Sequence, residues 1–168
     1  MKKFQWQSIV VSTVCLFSVL SGCNLEKRPE GFPRLTPCVV TILQNGTPLA
    51  DANVTFHGED AEKWGITGRT DASGSAVMTT YGKYNGVPAG TYKITLAKED
   101  FQGPAASDDP TAPMSKEPTK IFSFVELKYT AVDSTPLEIT VEKSSINMDI
   151  NAGEPVHVLS STMDADGI

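Results

Sequence analysis

The chain has 168 residues, 14 Lys+Arg against 20 Asp+Glu for a formal net charge of −6, and three cysteines. That length holds one domain of ordinary size with a real core. The acidic balance excludes a concentrated phosphate-binding surface, and three cysteines exclude a disulfide-stapled miniprotein.

The chain opens with Lys2 and Lys3, followed by an apolar run from Ile9 to Leu20. A bilayer-spanning helix needs about 20 apolar residues, so the run is too short to span; a charged start, a short apolar middle and small residues after it form a secretory signal. The stretch Leu20-Ser21-Gly22-Cys23 resembles the lipobox of bacterial lipoproteins. That resemblance implies cleavage before Cys23, a diacylglyceryl group on its thiol and an acyl chain such as palmitate on the new amine. Two or more chains anchor stably where one is marginal. Residues 1–22 are therefore expected to be a signal peptide. Their removal takes away Lys2, Lys3 and no acid, which leaves a net charge of −8. Cys15 goes with the signal and Cys23 takes lipid, so Cys38 is left as a lone thiol and no intrachain disulfide is expected. The expected location is the cell envelope, on the outer membrane or facing the periplasm.

Residues 23–36 read as the lipidated cysteine and a tether: Pro29, Gly31 and Pro33 sit among mixed charges, and 13 extended residues reach about 40 Å. From Pro37 the period becomes two. Cys38 to Leu43 is apolar on nearly both faces, as in a central strand. Ala52, Val54 and Phe56 alternate with Asn53, Thr55 and His57, and Tyr92, Ile94 and Leu96 with Thr91, Lys93 and Thr95. The same holds for Leu137, Ile139 and Val141, and for Ile146, Met148 and Ile150. Half-buried strands read this way. Turn residues lie between them: Asn45-Gly46, Asp71-Ala72-Ser73-Gly74, Gly82, Asn85-Gly86, Ala89-Gly90 and Lys143-Ser144-Ser145. No window shows a 3.6-residue period. The expectation is an all-β fold, an antiparallel sandwich of about seven strands over residues 37–151. It is interrupted by a Pro-rich loop at 102–118 and followed by a disordered tail at 152–168. Ile121 to Thr130 is strand-like but alternates poorly and should lead into the last hairpin.

Three blocks, Gly46-Thr47-Pro48-Leu49-Ala50-Asp51-Ala52-Asn53-Val54-Thr55-Phe56, Thr70-Asp71-Ala72-Ser73-Gly74-Ser75-Ala76 and Val87-Pro88-Ala89-Gly90-Thr91-Tyr92-Lys93-Ile94-Thr95-Leu96, resemble carboxypeptidase regulatory-like domains. The closing stretch, with Ser134 to Val141 and Ile146 to Ile150, resembles the end of small planctomycete-type lipoproteins. The resemblance implies a transthyretin-like, immunoglobulin-like sandwich without catalytic residues. The same positions make sense alone. Asn45-Gly46 supplies positive φ to a hairpin, Asp71 accepts hydrogen bonds from its own turn, and Tyr92 offers an apolar body with a hydroxyl that can reach a partner.

No catalytic, metal or cofactor residues are assigned. Asp71-Ala72-Ser73-Gly74 is a turn rather than a calcium loop, since calcium needs six to eight oxygens. His57 and His157 are far apart without a metal-ligand spacing, His57 on a solvent face and His157 in the tail. Asp108-Asp109 and Glu59-Asp60 read as solvated charge. Trp64, Tyr81 and Tyr84 fall in Gly-flanked, loop-like stretches, where rings can stack on sugar faces or anchor a protein. The simpler reading is that Trp64 caps one end of the sandwich and the tyrosines cover loop backbone. Functionally, the expectation is a non-enzymatic, lipid-anchored envelope protein whose sandwich is a binding or structural module; the alternative is a carbohydrate-binding lipoprotein of a polysaccharide uptake system. Its expected partners are the membrane, through the anchor, and a protein or polysaccharide, with no nucleic acid.

Overall fold

A computed structural model describes residues 28–103 and 118–163. The expected signal segment, Cys23 and nearly all of the Pro-rich stretch at 102–118 lie outside the described residues. The chain divides into two compact units, residues 1–32 and 33–168. In the first, the described residues make a reverse turn: Phe32 N–H donates to the Pro29 carbonyl at 3.2 Å and the Arg28 guanidinium lies 5.7 Å from the Phe32 ring centre.

The second unit is an all-β sandwich. In chain order its strands are β1 (Leu35–Thr36), β2 (Cys38–Gln44), β3 (Thr47–Pro48), β4 (Asn53–His57), β5 (Ile66–Arg69), β6 (Ser75–Val77), β7 (Thr79–Thr80) and β8 (Tyr84–Asn85). They continue as β9 (Val87–Pro88), β10 (Gly90–Ala97), β11 (Glu99–Gln102), β12 (Thr119–Ser123), β13 (Glu138–Val141), β14 (Ile146–Asn151) and β15 (Val158–Met163). A short helix, α1 (Glu59–Trp64), follows β4, and one 3₁₀ turn spans Leu127–Tyr129. The strands expected around Cys38, Val54, Tyr92, Ile139 and Ile146 are all present. The total exceeds seven because several are cut by corners.

The main sheet has six antiparallel strands in the order β13-β10-β4-β5-β7-β8. A second sheet centres on β2, flanked by β14 on one edge and by β3 and β6 on the other. Their inward side chains share one core: Val40 and Ile42 of β2, Val54 and Phe56 of β4, Ile94 and Leu96 of β10, with Ile66, Met78 and Val87, each no more than 1% exposed. Each such side chain contributes about 1.5–3 kcal/mol relative to an exposed one. At Met78 the chain crosses from one sheet to the other, its N–H bonding the Cys38 carbonyl and its carbonyl accepting from Gly86 N–H.

Local chemistry shaped the turns as the residues suggested. Asn45 and Gly46 take φ 46° and 79° between β2 and β3, as a two-residue hairpin requires. Gly74 has φ 75°, and a Cβ there would lie 2.7 Å from the Ile42 carbonyl oxygen, so no larger residue fits. The buried Tyr92 hydroxyl donates to the Pro88 carbonyl at 3.0 Å, like the tyrosine corners that lock other β-sandwiches. Buried polar groups are paired: Gln44 Nε2 donates to the Phe124 carbonyl, and Thr70 Oγ1 donates to the Leu49 carbonyl and accepts from Ala52 N–H. Among the described residues no buried side-chain nitrogen or oxygen lacks a hydrogen-bond partner.

Four expectations are corrected. The β2–β14 ladder is parallel, Cys38 facing Ile146 and Leu43 facing Asn151. No tight turn joins these strands, so nothing forces an antiparallel return. The tether ends early, because Leu35 and Thr36 pair with Pro88 and Val87. The stretch from Thr119 to Ser123 enters no final hairpin; it becomes the middle strand of a third sheet, β11-β12-β15. The expected tail supplies β15, which takes the free edge of β12, with Ser160 Oγ donating to the Ile121 carbonyl. Residues 164–168 lie outside the described residues.

Candidate functional site

At the end of the main sheet where β10 begins, β4 runs into α1 and β7 turns into β8. Here Gly58 opens α1 against Thr91 and Tyr92, and the helix ends at Trp64. The stretch at Glu59–Trp64, expected as loop, is helical for only six residues, too few to show a period. Trp64 and Tyr81 meet edge to face at a centroid distance of 6.1 Å, and Tyr81 N–H is held by the carbonyls of Trp64 and Gly65. Tyr81 and Gly82 form the tip of the β7–β8 hairpin at φ 59° and 70°. A bulky L residue in that region is an outlier that costs about 1–2 kcal/mol. The Tyr81 ring is nevertheless 52% exposed. Lys63 Nζ sits 5.0 Å from the Trp64 ring centre and Lys83 Nζ 5.6 Å from that of Tyr84. Tyr84 lies on β8 opposite Thr80. The structure thus joins Trp64 to Tyr81 directly and places Tyr84 on the same hairpin.

The opposite end of the sheet carries a feature that residue reading missed. Asn53, Arg69 and Ala97 share one register row and line two shallow depressions on the outer face. One continues to Asp51, Lys98, Glu99 and Phe101, the other to Thr55, Thr67, Val77 and Thr79. Two rows further along the strands, Thr95, Thr55, Thr67 and Thr79 face one another across four strands. Arg69 Nη2 reaches Asp51 Oδ1 at 3.4 Å, both side chains exposed. Phe101 is 58% and Val77 53% exposed at the two ends of the groove. Only the strand register aligns these residues.

The remaining titratable groups serve local roles. Cys38 is buried, and burial pushes its thiol up to about 11, so it is inert and closed to a partner copy. Tyr92 is pushed up to about 12 by burial and then by the charge of Asp60. Asp71 Oδ1 accepts from Ser73 Oγ (2.7 Å), Ser73 N–H (2.8 Å) and Ser75 N–H (3.0 Å). These bonds, the Ser73 hydroxyl first, hold its carboxyl below the usual range. His57 Nε2 meets Thr95 Oγ1 at 2.8 Å. His157, expected in the tail, stacks between the rings of Phe122 and Phe124 at 4.7 and 4.8 Å. Among the described residues no three His, Cys, Asp or Glu side chains are grouped to hold a metal, and no helix is long and apolar enough to cross a membrane.

No protein-family model, no curated protein and no solved structure matches this chain.

Proposed function

We propose that this is a lipid-anchored cell-envelope protein whose transthyretin-like sandwich acts by binding rather than by catalysis. The observation that carries the reading is the order of Lys2-Lys3, the short apolar run and Leu20-Ser21-Gly22-Cys23 ahead of a sandwich with a filled core. The grooves support the binding role: they are open and lie on an outer sheet face, where strands fix polar side chains for contact. Mass spectrometry of the membrane fraction is expected to find Cys23 as a lipid-modified N-terminus, with Cys23→Ser leaving the precursor uncut or releasing the protein. An unmodified N-terminus elsewhere would refute the anchor.

A second reading, binding of a polysaccharide, is favoured by one observation. One depression sets the amide of Asn53 and the carboxylates of Asp51 and Glu99 beside the exposed Phe101, and the adjoining one adds Thr55 and Thr67. Planar polar groups pair with sugar hydroxyls and a ring stacks on a sugar face. Retention of the detergent-solubilised protein on immobilised cell-wall polysaccharides is expected to fall about two- to tenfold in Phe101→Ala, the loss of one stacked ring. Equal retention would end the reading.

A further inference from the structure

We propose that the Trp64–Tyr81 end of the sandwich is a bilayer-facing surface that docks on the zwitterionic headgroup layer of the membrane holding the chain; this rests on the lipid-anchor reading above.

The path of the chain orients this end. Leu35 faces Pro88 and Thr36 faces Val87 in an antiparallel ladder, so residues before Leu35 run in the direction of Gly90. Gly90 opens β10 and pairs with Val141 at the end of the main sheet where α1 also lies. The backbone that enters the sandwich at Leu35 therefore comes from the side of the aromatic end, and the Asn53–Arg69 groove lies at the opposite end of the sheet.

Tyr81 gives an independent argument. Its backbone takes φ 59° at a hairpin tip, a position that Asn or Gly accepts without strain. A large ring is held there at a conformational cost, and half of its surface faces solvent. Its edge-to-face contact with Trp64 still leaves about half of the residue in solvent, and that exposed half is available to a partner outside the fold.

The surrounding chemistry fits a lipid interface. Trp and Tyr concentrate where one end of a ring is apolar and the other wet, and long lysine stems lie along apolar surface while their ammonium groups stay in water. Here the ammonium groups of Lys63 and Lys83 lie over the rings of Trp64 and Tyr84, which puts cations beside the aromatic residues. Glu59, Asp60 and Glu62 on α1 offset the lysines and disfavour strongly anionic lipid, so the surface suits zwitterionic headgroups. Contact by so few rings is weak for a free protein and becomes effective when a tether holds the surface at high local concentration.

The chain has tryptophan only at positions 6 and 64, so the processed protein reports through Trp64 alone. The test is the mature protein, purified from membranes, checked for lipid on Cys23 by mass spectrometry and reconstituted into phosphatidylcholine vesicles with brominated acyl chains. The expected result is lipid on Cys23, a blue-shifted Trp64 emission and about a twofold loss of its intensity, as for an interfacial tryptophan. Lipid on Cys23 with unquenched emission overturns the docking and leaves the anchor standing; an unlipidated Cys23 overturns both. Emission that responds to an added polysaccharide but not to brominated lipid assigns the surface to a glycan and also overturns the docking. Tyr81→Asn, which the left-handed backbone accepts, is expected to keep the parent's cooperative melting and to lose about half of the quenching. Quenching equal to the parent's would count against the proposal.

Discussion

The two ends of the six-stranded sheet are made by the same strands and are built on opposite terms. At the groove end, β5 runs into a turn whose Asp71 carboxylate satisfies three local donors, as an Asp side chain favours at the start of a turn. At the aromatic end, β7 turns through Tyr81, a residue that its backbone conformation disfavours. Between them the inner face is uniform: Val54, Phe56, Ile94 and Leu96 are all buried. Packing dictates the middle of a sandwich and leaves the ends free to differ. A costly residue at an unconstrained end is therefore more informative about use than a buried residue in the core.

The largest expected effect lies between the two ends and breaks both together. Ile94, fully buried in β10, opposes Phe56 and packs in the shared core. Ile94→Ala is expected to cost about 2–5 kcal/mol through lost transfer energy and the cavity left behind. Thermal melts of the mature protein should show Trp64 emission and far-UV circular dichroism falling in one shared transition, because a single core serves both ends. Two separated transitions would show instead that the ends are independent folding units.

A smaller effect belongs to the aromatic end. Tyr92→Phe keeps the ring beside Phe56, at a centroid distance of 5.8 Å, but removes the donor to the Pro88 carbonyl. Leaving a buried acceptor unpaired costs about 1–3 kcal/mol. Denaturant titration should show a lower midpoint with an unchanged slope, since the surface exposed on unfolding is the same. Because Pro88 pairs with Leu35, amide exchange is expected to quicken around β1 and β9 before it quickens at Arg69.

How much of this was legible in the sequence depends on what each feature encodes. The period of two identified β4, β10, β13 and β14, and a run apolar on both faces identified β2, because alternation records which face is buried. It carries no information about strand direction, so the parallel β2–β14 ladder was invisible. Nor does it record position in a sheet: β14 is an edge strand, and Met148, which alternation places inside, is 38% exposed. Helix α1 escaped notice because its six residues follow Gly58, with no side-chain cap to mark them. The strand β15 is half Ser and Thr, without alternation, and makes sense only beside the open edge of β12. Of the candidate site, Trp64, Tyr81 and Tyr84 stood out as rings among glycines, and the contact between Trp64 and Tyr81 needed the fold. The Asn53–Arg69–Ala97 groove was illegible for a stricter reason. Its residues are contiguous only through register, which no single strand reports.

The smallest effect sharpens the contrast from the groove end. Asp71 is fully exposed, and its carboxyl is held below the ordinary range by the Ser73 hydroxyl and then by the Ser75 and Ser73 amides. A folded-state value below the unfolded one, about 3.9 for Asp, means stability that is present above the unfolded value and lost as pH falls through the folded one. Asp71→Asn keeps an acceptor oxygen and a turn-forming side chain but not the charge. It is expected to melt slightly below the parent at neutral pH, with the gap closing as pH falls below about 4. A gap that stays constant with pH would assign the contribution to geometry alone. The Trp64 emission of Asp71→Asn in vesicles should match the parent's, because the turn satisfies its own donors and the two ends communicate only through a core that this substitution does not touch.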